Sequence, residues 1–234
     1  MKIKVVTTFN NLLYQKYANK FVNSYNWPFD LVIYNEDVDF FNKVPECKEF
    51  VERNKHIEIK DKYGQGFRKD GVRFCYKVFA FTDAILNETE ADGLICMDAD
   101  AVFYKAIDEQ FILENLHKDD CMMSYFGRQG LYSECGFLYF NMRHEYTKMY
   151  AAEMKRMYTS NDIYKEKEQQ DCWIWDLVRT KFENKYGIKN INLTPNGRGG
   201  EHVQATSCLS CYYDHLKGQE YKAWGKSLEN KSVG

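Results

Sequence analysis

The first 35 residues of the chain restrict its fold most, because they alternate between strand and helix patterns. Residues 2–8 are rich in β-branched side chains and predict a strand, which Asn10 and Asn11 end. Residues 12–25 predict a helix, and residues 30–34 predict a second short apolar strand. A strand, a helix and a further strand in succession are typical of a βαβ unit, in which the two strands run parallel. We therefore predict an α/β fold with a mostly parallel central sheet flanked by helices.

The size and charge of the chain favour one globular domain. With 234 residues it can bury one well-packed core, whereas two full domains would be crowded, so we predict a single domain over residues 1–234. The formal net charge of −2 does not indicate nucleic acid or a membrane surface as a partner. We find no secretory signal pattern and no apolar run of transmembrane length, and several of the eight Cys lie in apolar runs. These features predict a cytoplasmic protein with reduced thiols.

Further helices and strands follow from the apolar periodicity. Residues 73–87 predict a helix with a buried stripe made of Phe74, Val78, Phe81 and Ile85. Additional strands are predicted at residues 94–97, 121–126, 134–141, 188–193 and 208–213, and additional helices at 146–158 and 168–181. Residues 60–70 and 195–200 contain Gly without apolar periodicity and predict loops. The alternation of strands and helices thus continues beyond the first βαβ unit.

Two aspartates follow the apolar strand predicted at residues 94–97. Asp98 and Asp100 are two positions apart, so in an extended segment they project to the same side. They come at the carboxyl end of the strand, where an open α/β sheet binds its ligands. Two carboxylates this close repel each other, and a divalent cation relieves that repulsion. Because oxygen ligands suit Mn²⁺ or Mg²⁺, we predict a metal site at these two residues.

A polar segment near the C-terminus carries groups that suit the same site. His215 can offer an imidazole nitrogen to the metal, and Gly218 allows the backbone to approach a phosphate. Lys222 can neutralise a diphosphate as a point charge. On the helix predicted at residues 73–87, Arg73 and Lys77 are four positions apart and place two cations on one face. Together with the aspartates, these residues indicate a metal-assisted site for a diphosphate ligand.

Four segments of the chain carry motifs that occur together in one group of enzymes. Residues 94–100 are an apolar strand that ends in DxD, and residues 135–141 contain a glycine and then an apolar strand that ends in Asn. Residues 169–171, Gln-Gln-Asp, are similar to a DQD motif. Residues 215–224 are similar to an HxxGxxKPW motif, with one extra residue before Lys222 and Ala in place of Pro. The set resembles the GT-A superfamily of nucleotide-sugar glycosyltransferases, and most of all the retaining family eight, with its glycogenin-like and bacterial galactosyltransferase-like members.

The resemblance implies a fold, a reaction and a role for each motif. It implies a Rossmann-like GT-A domain in which residues 1–100 bind the nucleotide, while residues 101–234 form the acceptor half and the C-terminal metal and diphosphate motif. The implied reaction is metal-dependent transfer of a sugar from a nucleoside-diphosphate sugar, most commonly a UDP-sugar, to a hydroxyl acceptor with retention. The implied ligands of Mn²⁺ or Mg²⁺ are Asp98, Asp100 and His215; the implied donor-binding residues are Thr7, Thr8, Asn10, Lys77, Gly218 and Lys222; the implied catalytic residues are Gln170 and Asp171.

The acceptor and the reaction class stay open at the level of the sequence. Aromatic faces suit sugar rings, and the candidate acceptor-site residues are Tyr132, Glu134, Trp173 and Trp175. The two Trp cannot share one helix face, which predicts that one of them is buried. The acceptor can be a glycan, a protein, a lipid-linked sugar or a modified base in nucleic acid, and a base role for Asp171 would give inversion. Alternatives are a nucleotidyltransferase, a phosphohydrolase of the haloacid type, and a non-catalytic nucleotide-sugar or carbohydrate-binding module on the same scaffold.

Overall fold

The computed structural model describes residues 1–59, 66–227 and 230. Its strands are β1 Ile3–Phe9, β2 Asp30–Asn35, β3 Gly93–Met97, β4 Ala101–Phe103, β5 Cys121–Arg128, β6 Leu131–Asn141, β7 Lys189–Asn192 and β8 Tyr213–His215. Its α-helices are α1 Asn11–Leu13, α2 Asn19–Ser24, α3 Phe40–Lys43, α4 Pro45–Asn54, α5 Gly71–Asn87, α6 Glu109–Phe111, α7 Thr147–Thr159, α8 Asp171–Tyr186 and α9 Gln219–Trp224. Short π-helical segments at Tyr14–Ala18 and Ile112–Leu116 follow α1 and α6 directly. Within these described ranges, no helix combines the length and the apolar character needed to cross a membrane.

Six strands form the central sheet in the order β2-β1-β3-β6-β5-β7. Strand β1 pairs in parallel with β2 and β3, and β5 pairs in parallel with β7. Strand β6 runs antiparallel to both of its neighbours, β3 and β5. The βαβ unit predicted from the first 35 residues is confirmed, and so is the α/β fold with a mostly parallel central sheet.

Both faces of the sheet are covered, which explains why its central strands are continuous apolar runs. Successive side chains of a strand point to opposite faces. Val5 and Val6 of β1 accordingly enter two separate core clusters, and Ile95 and Cys96 of β3 divide in the same way. The strand that leads to the two aspartates is therefore fixed by packing on both sides.

Helix α5 packs against the sheet and begins where the preceding polar segment ends. The Asp70 carboxylate caps its first turn by accepting a hydrogen bond from the backbone N–H of Arg73 at 2.9 Å. Three residues of the predicted stripe are fully buried, namely Val78, Phe81 and Ile85. The prediction for Phe74 is wrong, because Cys75 takes the buried position and the Phe74 ring lines a cleft.

A two-stranded antiparallel sheet joins the centre of the chain to its C-terminal segment. Strand β4 pairs with β8, and Ala101 lies opposite His215 in that pairing. The backbone N–H of Leu216 also donates to the Asp100 carbonyl at 2.7 Å. The strand predicted at residues 208–213 is wrong, since Ser210 donates to the Ser207 carbonyl at 3.1 Å and closes a turn there. The strand begins only at Tyr213, where the pairing with β4 starts.

The start of α8 is also later than predicted. The backbone N–H groups of Gln169 and Gln170 donate to the Arg68 carbonyl at 2.8 and 3.2 Å, which holds this segment outside the helix. The helix therefore begins at Asp171 rather than at residue 168. The loop predicted at residues 60–70 lies partly outside the described residues, and Gly66–Lys69 forms a 3₁₀ turn.

Candidate active site

A cleft of about 340 Å³ opens at the carboxyl ends of β1 and β3. Its walls come from the end of β1, the first turns of α5 and the segment that follows β3. Predicted site residues in this lining are Thr8, Asn10, Lys77, Asp98 and Asp100. Open α/β sheets bind their ligands at this position. The fold thus brings together side chains from three separate stretches of sequence.

The two aspartates are surrounded by cationic side chains. Asp100 Oδ1 lies 3.0 Å from His215 Nε2, and Asp100 Oδ2 lies 2.7 Å from Lys222 Nζ. Asp98 Oδ2 lies 3.7 Å from the same His215 nitrogen, and Asp98 Oδ1 lies 2.6 Å from Lys77 Nζ. The pairing of β4 with β8 delivers His215 to this place, which the spacing of the sequence motifs alone cannot show.

The electrostatic environment shifts the pKa values of the two aspartates in opposite directions. Burial raises the pKa of Asp98, and the Lys77 ammonium opposes this only in part. Burial acts in the same direction on Asp100, but the charges of His215 and Lys222 outweigh it and hold the pKa of Asp100 below its ordinary value. Burial alone would lower the pKa of His215, yet the Asp100 carboxylate raises it above the ordinary value. The groups around Asp100 therefore favour its ionised form, whereas burial disfavours the ionised form of Asp98.

Lys77 connects Asp98 to the start of α8. Its Nζ lies 2.6 Å from Asp98 Oδ1, 2.6 Å from Asp171 Oδ2 and 3.3 Å from Cys135 Sγ. Burial would lower the pKa of Lys77, but Asp171 and Asp98 together raise it well above the ordinary value. A buried ammonium held by two carboxylates fixes both of them in place.

Glu134 belongs to the same cluster, although its sequence position indicated only an acceptor-site residue. Its Oε1 accepts a hydrogen bond from the Gly136 backbone N–H at 2.9 Å, and its Oε2 contacts Lys217 Nζ. Burial would raise the pKa of Glu134, but Lys217 and then His215 hold it below the ordinary value. The antiparallel register of β6 on β3, which aligns Met97 with Phe137, brings Glu134 to the site. No local sequence pattern reveals that register.

The donor set fits a divalent cation. Asp98, Glu134 and His215 each offer one ligand atom, and these atoms all lie within 4.8 Å of one another. Asp100 Oδ1 is buried, and its neighbour His215 Nε2, 3.0 Å away, does not have the geometry of a hydrogen bond, so this oxygen can serve as a further ligand. Carboxylate oxygens with one imidazole nitrogen suit Mn²⁺, and the carboxylates also suit Mg²⁺. The predicted ligands Asp98, Asp100 and His215 therefore lie together, and Glu134 extends the set.

The polar residues at the end of β1 face a carboxylate that the sequence analysis missed. Thr8 Oγ1 donates to Glu36 Oε1 at 3.1 Å, and Asn10 Nδ2 donates to Glu36 Oε2 at 3.1 Å. Glu36 follows β2, which pairs in parallel with β1, so the two strand ends meet at the same edge. All three residues line the cleft. They form a polar corner with hydrogen-bond donors and acceptors for a ligand.

Thr7 differs from its neighbour Thr8. Its side chain is fully buried, and its Oγ1 donates to the Met97 carbonyl at 2.9 Å. Because side chains alternate along a strand, Thr7 and Thr8 cannot both face the same side. The structure places Thr7 beneath the cleft, where it ties β1 to the end of β3.

Replacing Thr7 with Val is expected to lower the free energy of unfolding by about 1–2 kcal/mol, because the Met97 carbonyl loses its buried donor. Urea unfolding measures this change. The affinity for a nucleoside diphosphate should stay within about two-fold of the native value, whereas Thr8→Val should weaken it about five-fold. Equal losses of affinity in the two variants would show that the hydroxyl of Thr7 contacts the ligand.

Gly218 directly precedes α9, and Lys222 lies within that helix, one turn further on. Gly218 has a φ of 89°, a left-handed conformation that favours glycine, and it precedes the helix. Lys222 extends from this helix over the Tyr17 ring, with Nζ 4.4 Å from the ring centroid, and reaches Asp100. The C-terminal segment thus covers the aspartates despite the extra residue between Gly218 and Lys222.

The predicted catalytic residues Gln170 and Asp171 lie at the start of α8. Asp171 is 3% exposed, and its Oδ2 faces both Lys77 and the Cys135 thiol, 3.1 Å away. Gln170 Nε2 donates to the Tyr132 hydroxyl at 2.6 Å and also contacts the Glu168 carboxylate. Asp171 therefore contacts Lys77, which also contacts Asp98, whereas the side chain of Gln170 contacts Tyr132 and Glu168.

Tyr132 connects Gln170 to a second cleft of about 430 Å³. The lining of this cleft includes Tyr132, Trp173, Lys167 and Glu168. The Tyr132 and Trp173 rings pack edge to face with centroids 5.9 Å apart. Trp175 instead lies in the core against Phe140 and Tyr150, which confirms that one of the two Trp is buried and removes Trp175 from the acceptor-site candidates.

Comparison with known proteins gives matches among solved structures only, because no protein-family model and no curated protein matches the chain. A glycosyltransferase involved in the glycosylation of the major capsid of PBCV-1 aligns over 97% of this chain and 100% of its own, with 10% identity and a TM-score of 0.50. GlyE of Streptococcus pneumoniae TIGR4, also a glycosyltransferase, aligns over 80% of this chain with 14% identity and a TM-score of 0.44. The galactosyltransferase LgtC, solved with donor and acceptor sugar analogues, aligns over 74% of this chain and 69% of its own, with 12% identity and a TM-score of 0.40.

Of these alignments, the one with the capsid glycosyltransferase bears on the fold, and none bears on the activity. This chain spans only 44% of the length of GlyE. The alignment with the capsid glycosyltransferase covers both chains almost completely and therefore compares whole folds. The chain therefore shares its α/β fold, a six-stranded mixed sheet flanked by helices, with that solved glycosyltransferase.

Proposed function

We propose that this chain is a metal-dependent glycosyltransferase that moves a sugar from a nucleoside-diphosphate sugar, with UDP as the first nucleotide to test, to a hydroxyl acceptor. The observation that carries the proposal is the meeting of Asp98, Asp100, Glu134 and His215 at the end of β3 beside the cleft. Structural ion-pair networks also gather charged groups, but this cluster lies at a strand end beside a cleft, where an open α/β sheet binds its ligands. A nucleotide-sugar gives each of these groups a role.

The donor would bind with its nucleoside near β1 and its diphosphate near α5 and α9. Thr8, Asn10 and Glu36 offer hydrogen bonds to a base and a ribose. Lys77 and Lys222 both reach the aspartates and lie where a diphosphate would meet the metal ligands. Each ammonium can exchange a carboxylate contact for a phosphate contact when the donor arrives. This arrangement supports Lys77 and Lys222 as donor-binding residues.

Breaking the bond between sugar and phosphate leaves negative charge on the departing diphosphate. Asp98, Asp100, Glu134 and His215 would hold a divalent cation, which would supply Lewis-acid stabilisation of that charge. Lys222 adds a preorganised positive charge from the C-terminal segment, and its position over the Tyr17 ring restricts its movement. The residues of the chain therefore stabilise the leaving group without a proton transfer to it.

The environment of Asp171 favours retention over inversion. An inverting enzyme needs a carboxylate that is free to take a proton from the acceptor. Asp171 is buried, and its Oδ2 is held 2.6 Å from Lys77 Nζ and 3.1 Å from the Cys135 thiol. A carboxylate engaged in this way positions Lys77 and is a poor general base. Gln170, which faces Tyr132, is then the group closest to the acceptor side.

The cleft beside Tyr132 and Trp173 is the proposed entry for the acceptor. It offers an aromatic face, and its charges are balanced, with Arg68 3.4 Å from Glu168. A balanced cleft with an aromatic wall suits an uncharged sugar ring better than a phosphate-rich polymer. The acceptor in this proposal is therefore a neutral glycan or the glycan part of a larger molecule.

Replacing Trp173 with Ala is expected to raise the KM for a neutral glycan acceptor about ten-fold, because the ring surface that contacts the sugar is lost. Hydrolysis of the donor by water should change less than about two-fold, since Trp173 is absent from the lining of the donor cleft. Steady-state kinetics with both readouts checks this. A loss of donor hydrolysis equal to the loss of transfer would contradict an acceptor role.

The proposed reaction is tested by incubating the protein and Mn²⁺ with a panel of nucleoside-diphosphate sugars and recording the NMR signal of the anomeric proton. The expected result is release of one nucleoside diphosphate and a product with the anomeric configuration of the donor. An inverted product would contradict the proposed mechanism. Release of pyrophosphate from a nucleoside triphosphate would indicate a nucleotidyltransferase instead.

A further inference from the structure

Two cysteines that the proposed mechanism does not use lie in direct contact beside the site. The Sγ atoms of Cys135 on β6 and Cys172 on α8 are 2.6 Å apart, although 37 positions separate them in the sequence. The Sγ atoms of the other buried pair, Cys47 and Cys75, are 3.7 Å apart, an ordinary contact between two thiols. The packing of α8 on β6 therefore presses one particular pair of thiols together.

The two thiols of this pair differ in their exposure to solvent. Cys135 Sγ lies 3.3 Å from Lys77 Nζ, on the side of the candidate active site. Cys172 is half-buried, whereas Cys135 is 1% exposed. An oxidant from solution therefore meets Cys172 first, and Cys135 stands directly behind it as the second thiol.

We propose that Cys135 and Cys172 form an oxidation site for hydroperoxides. The Cys172 sulfur attacks the peroxide O–O bond, which gives a sulfenic acid on Cys172 and releases one alcohol or water molecule. The Cys135 sulfur then attacks the Cys172 sulfur, a disulfide forms, and the hydroxyl group of the sulfenic acid leaves as water with the thiol proton of Cys135. Two thiols lose two electrons in total, and the peroxide takes both.

The disulfide would act on the candidate active site through Asp171 and Lys77. Cys172 follows Asp171 directly, and the Cys135 thiol is 3.1 Å from Asp171 Oδ2 and 3.3 Å from Lys77 Nζ. Oxidation removes the thiol proton from this network and draws the first turn of α8 toward β6. The resulting displacement of Asp171 releases Lys77 from one of its two carboxylates. Oxidation is therefore expected to lower turnover of the donor, a consequence that rests on the proposed function.

The covalent part is tested on the full chain without any activity assay. The reduced protein is treated with hydrogen peroxide, alkylated, digested without reductant and analysed by mass spectrometry. The expected product is a peptide pair linked through Cys135 and Cys172, formed about ten-fold faster than any link between the fully buried Cys47 and Cys75. Dithiothreitol should remove the link.

Two variants make this result specific. Cys172→Ser should abolish the linked pair and leave Cys135 free to be alkylated after unfolding, with circular dichroism confirming that the variant is folded. Replacing the exposed pair Cys208 and Cys211 with Ser should leave the link unchanged. Conversion of Cys172 to a sulfinic acid while Cys135 stays reduced would overturn the proposal.

The regulatory part needs a separate readout. Turnover of the nucleotide-sugar donor should fall about ten-fold as the link forms, return with dithiothreitol, and resist peroxide in Cys172→Ser. A complete link with unchanged turnover would overturn the regulatory role and leave the oxidation site standing. A link in a protein that turns over no donor in either redox state would count against the proposed function instead, so the two failures are distinguishable.

Discussion

Replacing Asp100 with Asn is expected to lower the rate of Mn²⁺-dependent sugar transfer about 1,000-fold, since the proposed metal site loses one of its charged ligands. Asn keeps the shape of the side chain, so the effect comes from charge. The neutral amide leaves His215 and Lys222 without the carboxylate that lies 3.0 and 2.7 Å from them. It also removes a proposed metal ligand, the buried Asp100 Oδ1. Steady-state turnover of the donor at saturating Mn²⁺ measures the change.

Asp120→Asn is the matched control for this variant. Asp120 is exposed, pairs with Lys189 at 3.0 Å, and is absent from the lining of the cleft. Its replacement should leave turnover within about two-fold of the native rate, as is usual for an exposed ion pair. Native turnover in Asp100→Asn would remove the metal site from the mechanism.

Replacing Gly136 with Ala is expected to reduce Mn²⁺-dependent turnover about 100-fold and to destabilise the fold by about 1–3 kcal/mol. A Cβ at this position would overlap His215 Cε1 and lie 2.8 Å from His215 Nδ1. It would also lie 3.0 Å from Glu134 Oε1, so the side chains of His215 and Glu134 would both have to move. Strand β6 is held in place at this residue, because the Gly136 carbonyl accepts a hydrogen bond from the Asp98 backbone N–H at 3.0 Å.

The measurements for this variant are donor turnover, Mn²⁺ titration and urea unfolding. Gly199→Ala serves as the control. A new Cβ there would lie 3.3 Å from the Leu131 Cβ, and neither His215 nor Glu134 is among its nearest neighbours. This control variant should keep native turnover and metal affinity. If Gly136→Ala binds Mn²⁺ as tightly as the native protein, His215 does not hold the metal in the orientation described here.

The parts of the site that could be predicted are those encoded locally. Asp98 and Asp100 follow a short apolar strand, so their position at its carboxyl end, where an open α/β sheet binds its ligands, could be predicted. Residues 98–100 themselves form a bend rather than an extended segment. Lys77 lies on a helix with a clear apolar stripe, so its face could be assigned. The alternation of side chains along a strand, applied to β1, would have separated the buried Thr7 from Thr8.

The parts that could not be predicted depend on contacts between distant segments. Glu134 reaches His215 only because β6 inserts antiparallel between β3 and β5. The contact of Cys135 with Cys172 requires α8 to pack on β6 with its first turn over that glycine-containing strand. The late start of β8 follows from its pairing with β4, since residues 208–212 have β-like composition but form turns. In each case a segment that is distant in sequence determines the structure. A short stretch of sequence around the residue does not include that segment.

The most direct test of the proposed donor site is thermal unfolding of the native protein and of Asp100→Ala with a panel of nucleoside diphosphates, each with and without Mn²⁺. At 100 times the dissociation constant, a bound ligand adds about 2.7 kcal/mol of stability, which raises the Tm of a domain of this size by several degrees. The expected result is a rise in Tm that requires Mn²⁺, is largest for one nucleoside diphosphate and disappears in Asp100→Ala. The absence of any Mn²⁺-dependent rise with every nucleoside diphosphate would contradict the glycosyltransferase proposal.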